Sequence, residues 1–310
     1  MPQDQYINSS SRRKRRKMTN APRRFAGLSE PFSDYVKAKF AVIPVPYEKT
    51  TSYGKGTAKG PDAILEASRY MELYDEELDC NTAESGIATI DPVICDKEPQ
   101  FLAEKLRGVC AKILADKKFP IVLGGEHSIS LGLLLALKDH YKDVCVLQFD
   151  AHADLRDEYY GSKYSHACVM RRIREHAAAV QVGIRSYSDD ETEIVKRERD
   201  SIFLAAEMRK GDRIFDIVNR LGKNVFISFD VDAFDPSVMP STGTPEPGGL
   251  GWYETLDLIR AVSETRNIVG FDAVELAPVP HTTAPDYTVA RLIYRVMGYV
   301  NASGQNRDLQ

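Results

Sequence analysis

Val144-Cys145-Val146-Leu147-Gln148-Phe149-Asp150-Ala151-His152-Ala153-Asp154 is the stretch on which the reading of this chain turns. Six residues of near-continuous apolar character suit a strand buried on both faces, and such strands belong to parallel sheets covered by helices. The run then breaks into Asp, His and Asp at every second position. In open parallel sheets ligands bind beyond the carboxyl ends of the strands, so acids and a histidine that begin where a strand ends mark a candidate site.

The same grammar recurs outward from there. Further strands are predicted at Phe40–Val45, Gly86–Ile90, Phe119–Leu123, Val180–Ile184, Ile202–Ala205, Val225–Phe229 and Ile268–Val274. Between them Leu102, Leu106, Val109, Ile113 and Leu114 fall on one face of a helix over Phe101–Lys117. Pro61 suits the first turn of a helix running through Ile64, Leu65 and Tyr70, and Gly222 suits the end of one carrying Ile214, Ile217 and Val218. Strands alternating with helices over the whole length predict one α/β domain. At 310 residues, 43% of them hydrophobic, the chain has material for one large core.

Three other strands end as the first does. Phe119–Leu123 leads into Gly124-Gly125-Glu126-His127, Val225–Phe229 into Asp230-Val231-Asp232, and Ile268–Val274 into Glu275. In extended backbone Asp150, His152 and Asp154 would share a face, as would Asp230 and Asp232. Four carboxylates brought together repel one another unless cations intervene. With His127 and His152 the donors exceed the needs of one ion, which predicts two metals sharing bridging carboxylates about 3.5–4 Å apart and activating a water. Carboxylate oxygens with some imidazole favour manganese over zinc, with nickel or another divalent ion as alternatives. Glu275 needs a cation: a guanidinium held through two parallel hydrogen bonds, or an arginine of the chain itself.

Together with Gly-Thr-Ala-Lys-Gly-Pro-Asp-Ala-Ile at 56–64 and Gly-Thr-Pro-Glu-Pro-Gly-Gly at 243–249, these motifs resemble the ureohydrolases, the family of arginases and agmatinases. The resemblance runs from about Ala41 to Val300. It implies a three-layer α/β/α domain with an eight-stranded, mostly parallel sheet, two Mn2+ ions and a trimer or hexamer. It further implies that His127, Asp150, Asp154 and Asp230 hold one ion and Asp150, His152, Asp230 and Asp232 the other. Asp154 would orient the attacking water and move its proton, His166 would shuttle a proton to the leaving amine, and Glu275 would anchor the guanidinium.

The implied reaction hydrolyses a small guanidino compound to urea and an amine. Agmatine is the first expectation, because the loop Leu155–Ser165 lacks the Asn, Thr and Ser pattern by which arginases hold an α-carboxylate. Asp157 and Glu158 in that loop are either an ammonium subsite or solvated acids, whereas Arg156 would receive a carboxylate and points to guanidinobutyrate. Guanidine hydrolase and arginase activities are further alternatives. A single-zinc amidohydrolase and a non-catalytic relative are readings of other classes, and the full ligand set speaks against both.

Residues 1–24 carry eight Lys/Arg against Asp4, leaving the remainder net −11. The run at 12–17 reads as a disordered basic arm ahead of a catalytic domain over 25–310, a solvated tail more than a nucleic-acid contact. Five scattered cysteines without a Cys-x-x-Cys pair read as reduced thiols. Neither a secretory signal nor an apolar run of about 20 residues is present, so a cytoplasmic protein off the membrane is expected.

Overall fold

The computed structural model describes residues 23–211 and 213–304. All eight predicted strands form, as β1 (Phe40–Val45), β2 (Ile87–Thr89), β3 (Phe119–Gly124), β4 (Val144–Phe149), β5 (Ala178–Ile184), β6 (Ile202–Leu204), β7 (Asn224–Asp230) and β8 (Asn267–Val274). They make one sheet in the order β2-β1-β3-β8-β7-β4-β5-β6, and every pairing in it is parallel. Side chains alternate across this sheet, so Phe40 and Val42 join one apolar core while Ala41 and Ile43 join a second.

Helices complete both cores. On one face lie α1 (Gly60–Ser68), α7 (Ile214–Arg220), α8 (Trp252–Thr265) and α9 (Ala284–Ala302). On the other lie α2 (Pro99–Ala115), α3 (Ser130–His140), α4 (Val169–Arg174) and α5 (Thr192–Arg197). The result is the three-layer arrangement expected, with no described helix long and apolar enough to cross a membrane.

Boundaries moved where local chemistry overrode periodicity. Pro99 starts α2 two residues before the predicted Phe101, since proline is pre-shaped for a first helical turn. Helix α1 stops at Ser68, leaving Tyr70 outside it and exposed. Helix α7 ends at Arg220 with Leu221 already extended, so Gly222 does not serve as its terminator. Ala205 begins a short helix, α6 (Ala205–Met208), and does not extend β6. All five cysteines are free, three buried and two half-buried.

An antiparallel pair, Tyr74–Asp75 with Cys80–Asn81, is tied to α9 by Arg295. That guanidinium, 4% exposed, lies 2.5 Å from the fully buried Asp75 and 2.7 Å from Glu76. The basic run at 12–17 lies outside the described residues. Arg23 and Arg24, placed in the arm by composition, sit on the folded domain: Arg23 is 3.8 Å from Asp62, and Arg24 donates to Ser33 Oγ.

Candidate metal centre

Strands β3, β8, β7 and β4 are neighbours in the middle of the sheet, and each carries part of the acidic constellation just past its end. β3 hands the chain to Gly125, whose position is set by crowding: a Cβ there would sit 1.9 Å from Tyr47 O. Glu126 and His127 follow, so the histidine ring enters the space between strand ends. β4 leads to Asp150, β7 ends on Asp230, and β8 passes directly to Glu275.

The acids converge, though not through extended backbone. Asp230 accepts a hydrogen bond from the N–H of Asp232 at 2.9 Å in a 3-10 turn over Val231–Ala233, and that turn brings both carboxylates to one side. Asp154 has φ 53°, a left-handed conformation that aspartate tolerates better than most residues. Its carbonyl is held by the N–H groups of Met170 and Arg171 at the start of α4.

Ligand atoms of His127, Asp150 and Asp154 lie within 4.8 Å of one another, and so do those of Asp150, His152 and Asp232. Asp150 belongs to both groups. His127 Nδ1 lies 3.1 Å from Asp150, 3.1 Å from Asp154 and 3.3 Å from Asp230. Yet this buried nitrogen makes no hydrogen bond among the described residues. The other side of the ring explains why. His127 Nε2 is 3.0 Å from Ser228 Oγ, which donates to Asp272 Oδ1 at 3.0 Å. With its one proton so committed, Ser228 accepts from Nε2–H, and this assigns Nδ1 a bare lone pair. A lone pair facing three carboxylates calls for a positive charge between them; without an ion, the same carboxylates raise His127 well above the usual imidazole range against the opposing effect of burial, and a metal cation meets the same demand.

Charges within the cluster agree. Asp154 is pushed up to about 7, by burial first and then by Asp150. Burial and the nearby Asp232 and Asp150 hold Asp230 well above the carboxylate range. His152 is drawn up to about 12, because Asp232 and Asp150 outweigh the burial that opposes its charge. The residues present fit a pair of divalent ions, and Asp150 is common to both ligand groups.

Glu275 has φ 65° and takes the N–H of His127 on Oε1 at 2.7 Å. It has no ion pair with an arginine or any other cation among the described residues, so the internal salt bridge is absent there. Burial and the neighbouring Glu126 push its carboxyl well above the usual range. It faces a cavity of about 370 Å³ that also reaches His127, Asp154, Asp230, Asp232, His166 and Arg156.

His166 enters from a 3-10 turn after the 155–165 loop and meets residues that the sequence did not single out. Fully buried Glu126 accepts the Thr50 hydroxyl at 2.8 Å, and Thr50 Oγ1 lies 3.1 Å from His166 Nδ1. Since the threonine proton is given to Glu126, Nδ1 carries hydrogen and Nε2 is the open acceptor, 3.1 Å from Ser52 Oγ. Burial above all lowers His166 to about 4. Neutral at pH 7, it is poised to take a proton before giving one.

The loop acids fall elsewhere. Asp157 is exposed and bound to Arg172 at 2.6 Å and near Lys163, and exposed Glu158 does not line the cavity. Arg156 does reach the wall, but its guanidinium lies over the Tyr159 ring at 5.1 Å and 3.6 Å from Asp190. In place of the loop acids the wall contains Tyr53, Tyr159, Tyr187 and Glu246. Thr50, Ser52 and the tyrosines come from connections with no motif of their own. Glu246 lay within the quoted Gly-Thr-Pro-Glu-Pro-Gly-Gly stretch, where its charge was the overlooked signal.

Residues 38–298 match the model of the arginase family. Over 301 residues the chain is 38% identical to N(1)-aminopropylagmatine ureohydrolase of Synechocystis sp., covering 94% of this chain and 98% of that one. It is 34% identical to the agmatinase of Pyrococcus horikoshii, covering 86% of this chain and 94% of the relative. Among solved structures, the agmatine ureohydrolase of Thermoplasma volcanium superposes with a TM-score of 0.83 at 30% identity, covering 93% and 97% of the two chains.

Proposed function

Because the chain belongs to the arginase family, we propose that it is a hydrolase that splits a guanidino compound into urea and an amine, with agmatine as substrate. The observation that carries the reading is the pairing of a two-group metal centre sharing Asp150 with an unneutralised, buried Glu275 in the same cavity. A second reading, N(1)-aminopropylagmatine, is favoured by the relative of that name, similar over nearly its whole length. Both compounds join a guanidinium to a cationic amine, so the same chemistry serves either.

Two divalent ions, manganese in this reading, would be held by His127, Asp150, His152, Asp154, Asp230 and Asp232 and would supply the positive charge that acidifies the attacking water. The chain's own residues do the rest. Glu275 receives the planar guanidinium through parallel hydrogen bonds, and the cation in turn relieves its buried charge. Asp154 orients the water and accepts its proton. As water adds to the guanidinium carbon, Glu275 stays paired with the nitrogens. His166, with Nε2 open, takes the proton that the water gave up to Asp154 and delivers it to the departing nitrogen as the C–N bond breaks, so that the water's oxygen ends in urea and its proton on the amine. Glu126, acting through Thr50, holds the imidazole in that tautomer.

The reading includes a cytoplasmic setting, a trimer or hexamer, and a basic arm ahead of Arg23 that takes no part in the chemistry. Its test is urea release from agmatine, N(1)-aminopropylagmatine, arginine, guanidinobutyrate and guanidine, with manganese and nickel supplied in parallel. Agmatine or its aminopropyl derivative should lead in kcat/KM. Arginine equal to or above both would sink it, and guanidinobutyrate in front would return attention to Arg156.

A further inference from the structure

We propose that Glu246 is the receptor for the amine at the far end of the substrate, so that the cavity selects molecules cationic at both ends. This rests on the guanidino-hydrolase reading and assigns the half of the substrate that Glu275 does not touch.

Outside the metal cluster the cavity wall has three carboxylates: Glu275, Glu191 and Glu246. Glu191 is spent on structure, accepting from Leu155 N–H at 2.7 Å and from Ser188 N–H and Oγ. The carboxylate of half-buried Glu246 has neither an ion pair nor a hydrogen bond among the described residues. The wall's arginine does not neutralise it, since Arg156 is engaged by Tyr159 and Asp190. Its oxygens are not among the buried unpaired atoms, so the carboxylate stands open to the cavity with no partner of its own and is free to pair with a cation that a ligand brings.

Its position is fixed in advance. Glu246 lies between Pro245 and Pro247, and its carbonyl takes two bonds from the Arg185 guanidinium, at 2.8 and 3.2 Å. The same guanidinium donates to Asp232 O at 2.7 Å, which ties this loop to the turn carrying a candidate metal ligand. Gly54 N–H donates to Gly243 O at 3.1 Å and joins the loop to the one bearing Tyr53. Rigid placement of this kind lowers the entropy lost on binding. Tyr53, Tyr159 and Tyr187 share the wall, and ring faces attract alkylammonium groups while covering a methylene chain. Free carboxylates at Glu275 and Glu246 would repel an α-carboxylate and draw a primary or secondary ammonium.

The test compares agmatine with pentylguanidine, in which a methyl group replaces the ammonium, using manganese-loaded full-length protein and Glu246→Gln. The expected result is a fall of roughly tenfold or more in the agmatine-to-pentylguanidine ratio of kcat/KM, carried mainly by KM for agmatine. An unchanged ratio, whether both substrates suffer equally or neither does, overturns the assignment. Calorimetric titration with 1,4-diaminobutane separates the two levels of argument. If wild-type protein releases no urea from any guanidino compound but binds the diamine, and Glu246→Gln weakens that binding about tenfold, the hydrolase reading fails and the Glu246 subsite stands. Diamine affinity equal in the two proteins overturns the subsite.

Discussion

Replacing Asp150 by asparagine keeps the shape of a fully buried side chain and removes the charge common to both candidate metal groups. Binding to the native state alone adds about 2.7 kcal/mol of stability per site at a ligand concentration one hundred times Kd. Two groups therefore add about 5 kcal/mol to the parent protein. For a domain of this class each kcal/mol moves Tm by roughly 2–4 °C, so excess manganese should raise the parent Tm by about 10–20 °C over chelator-treated protein. Asp150→Asn should lose most of that rise, because neither group is complete. Asp154 belongs to one group and Asp232 to the other, so Asp154→Asn and Asp232→Asn should each lose about half. Thermal unfolding with and without chelator, alongside metal counting by mass spectrometry, reads both quantities. Two ions and a full Tm rise in Asp150→Asn would refute the reasoning, and equal losses in all three variants would refute the sharing argument.

His166→Ala should retain the manganese-dependent Tm rise and lose about 10²-fold or more in kcat, the scale of a general acid–base group, and a near-normal kcat would remove it from the proton path. Thr50→Val should fall part of the way and Thr50→Ser recover, since only the hydroxyl accepts Nδ1–H. Because His166 is lowered to about 4, its neutral form persists down to that pH. The acid limb of kcat/KM assigned to it should therefore lie below pH 5, and a His166-dependent limb near 6.5 would contradict the buried environment. Arg295→Ala strands the buried charge of Asp75 and should cost about 3–5 kcal/mol in denaturant unfolding without altering metal content. Deleting residues 1–22 should leave specific activity intact, and its loss in folded, metal-loaded protein would give the arm a role in the site or in assembly.

The positions of the strands and the acids at their ends were legible because both are local signals: an apolar run needs a buried sheet, and an abrupt acid after it has nowhere else to go. His127, Asp150 and Asp230 were found in this way. The spacing of Asp230 and Asp232 suggested extended backbone, whereas Asp232 sits in a 3-10 turn whose first N–H bond goes to the Asp230 carboxylate. What stayed hidden depends on loops that meet only in the folded chain. Thr50 and Ser52 are 116 and 114 residues from His166, and hydroxyl residues in a connection give no forewarning. For Asp157 and Glu158 the sequence left an ammonium subsite and solvated acids both open, because charge near a site resembles charge in it; the structure has both exposed, with Arg172 bound to Asp157.

The place of β8 in the sheet bears on how the protein is made. It is the last strand of the main sheet to leave the ribosome, yet it pairs with β3 on one side and β7 on the other. Until residue 274 emerges, the nascent chain holds two unjoined sections of sheet, one ending in β3 and one in β7, each with an open edge able to pair wrongly. His127 lies on the first section, while His152 and the four aspartates follow strands of the second, so the group of His127, Asp150 and Asp154 stays incomplete while the chain grows. Capture of the second ion can then report on completed synthesis: a ribosome-stalled chain ending before β8 should hold no more than one manganese ion, and release of the full chain should bring the second ion and protease resistance together.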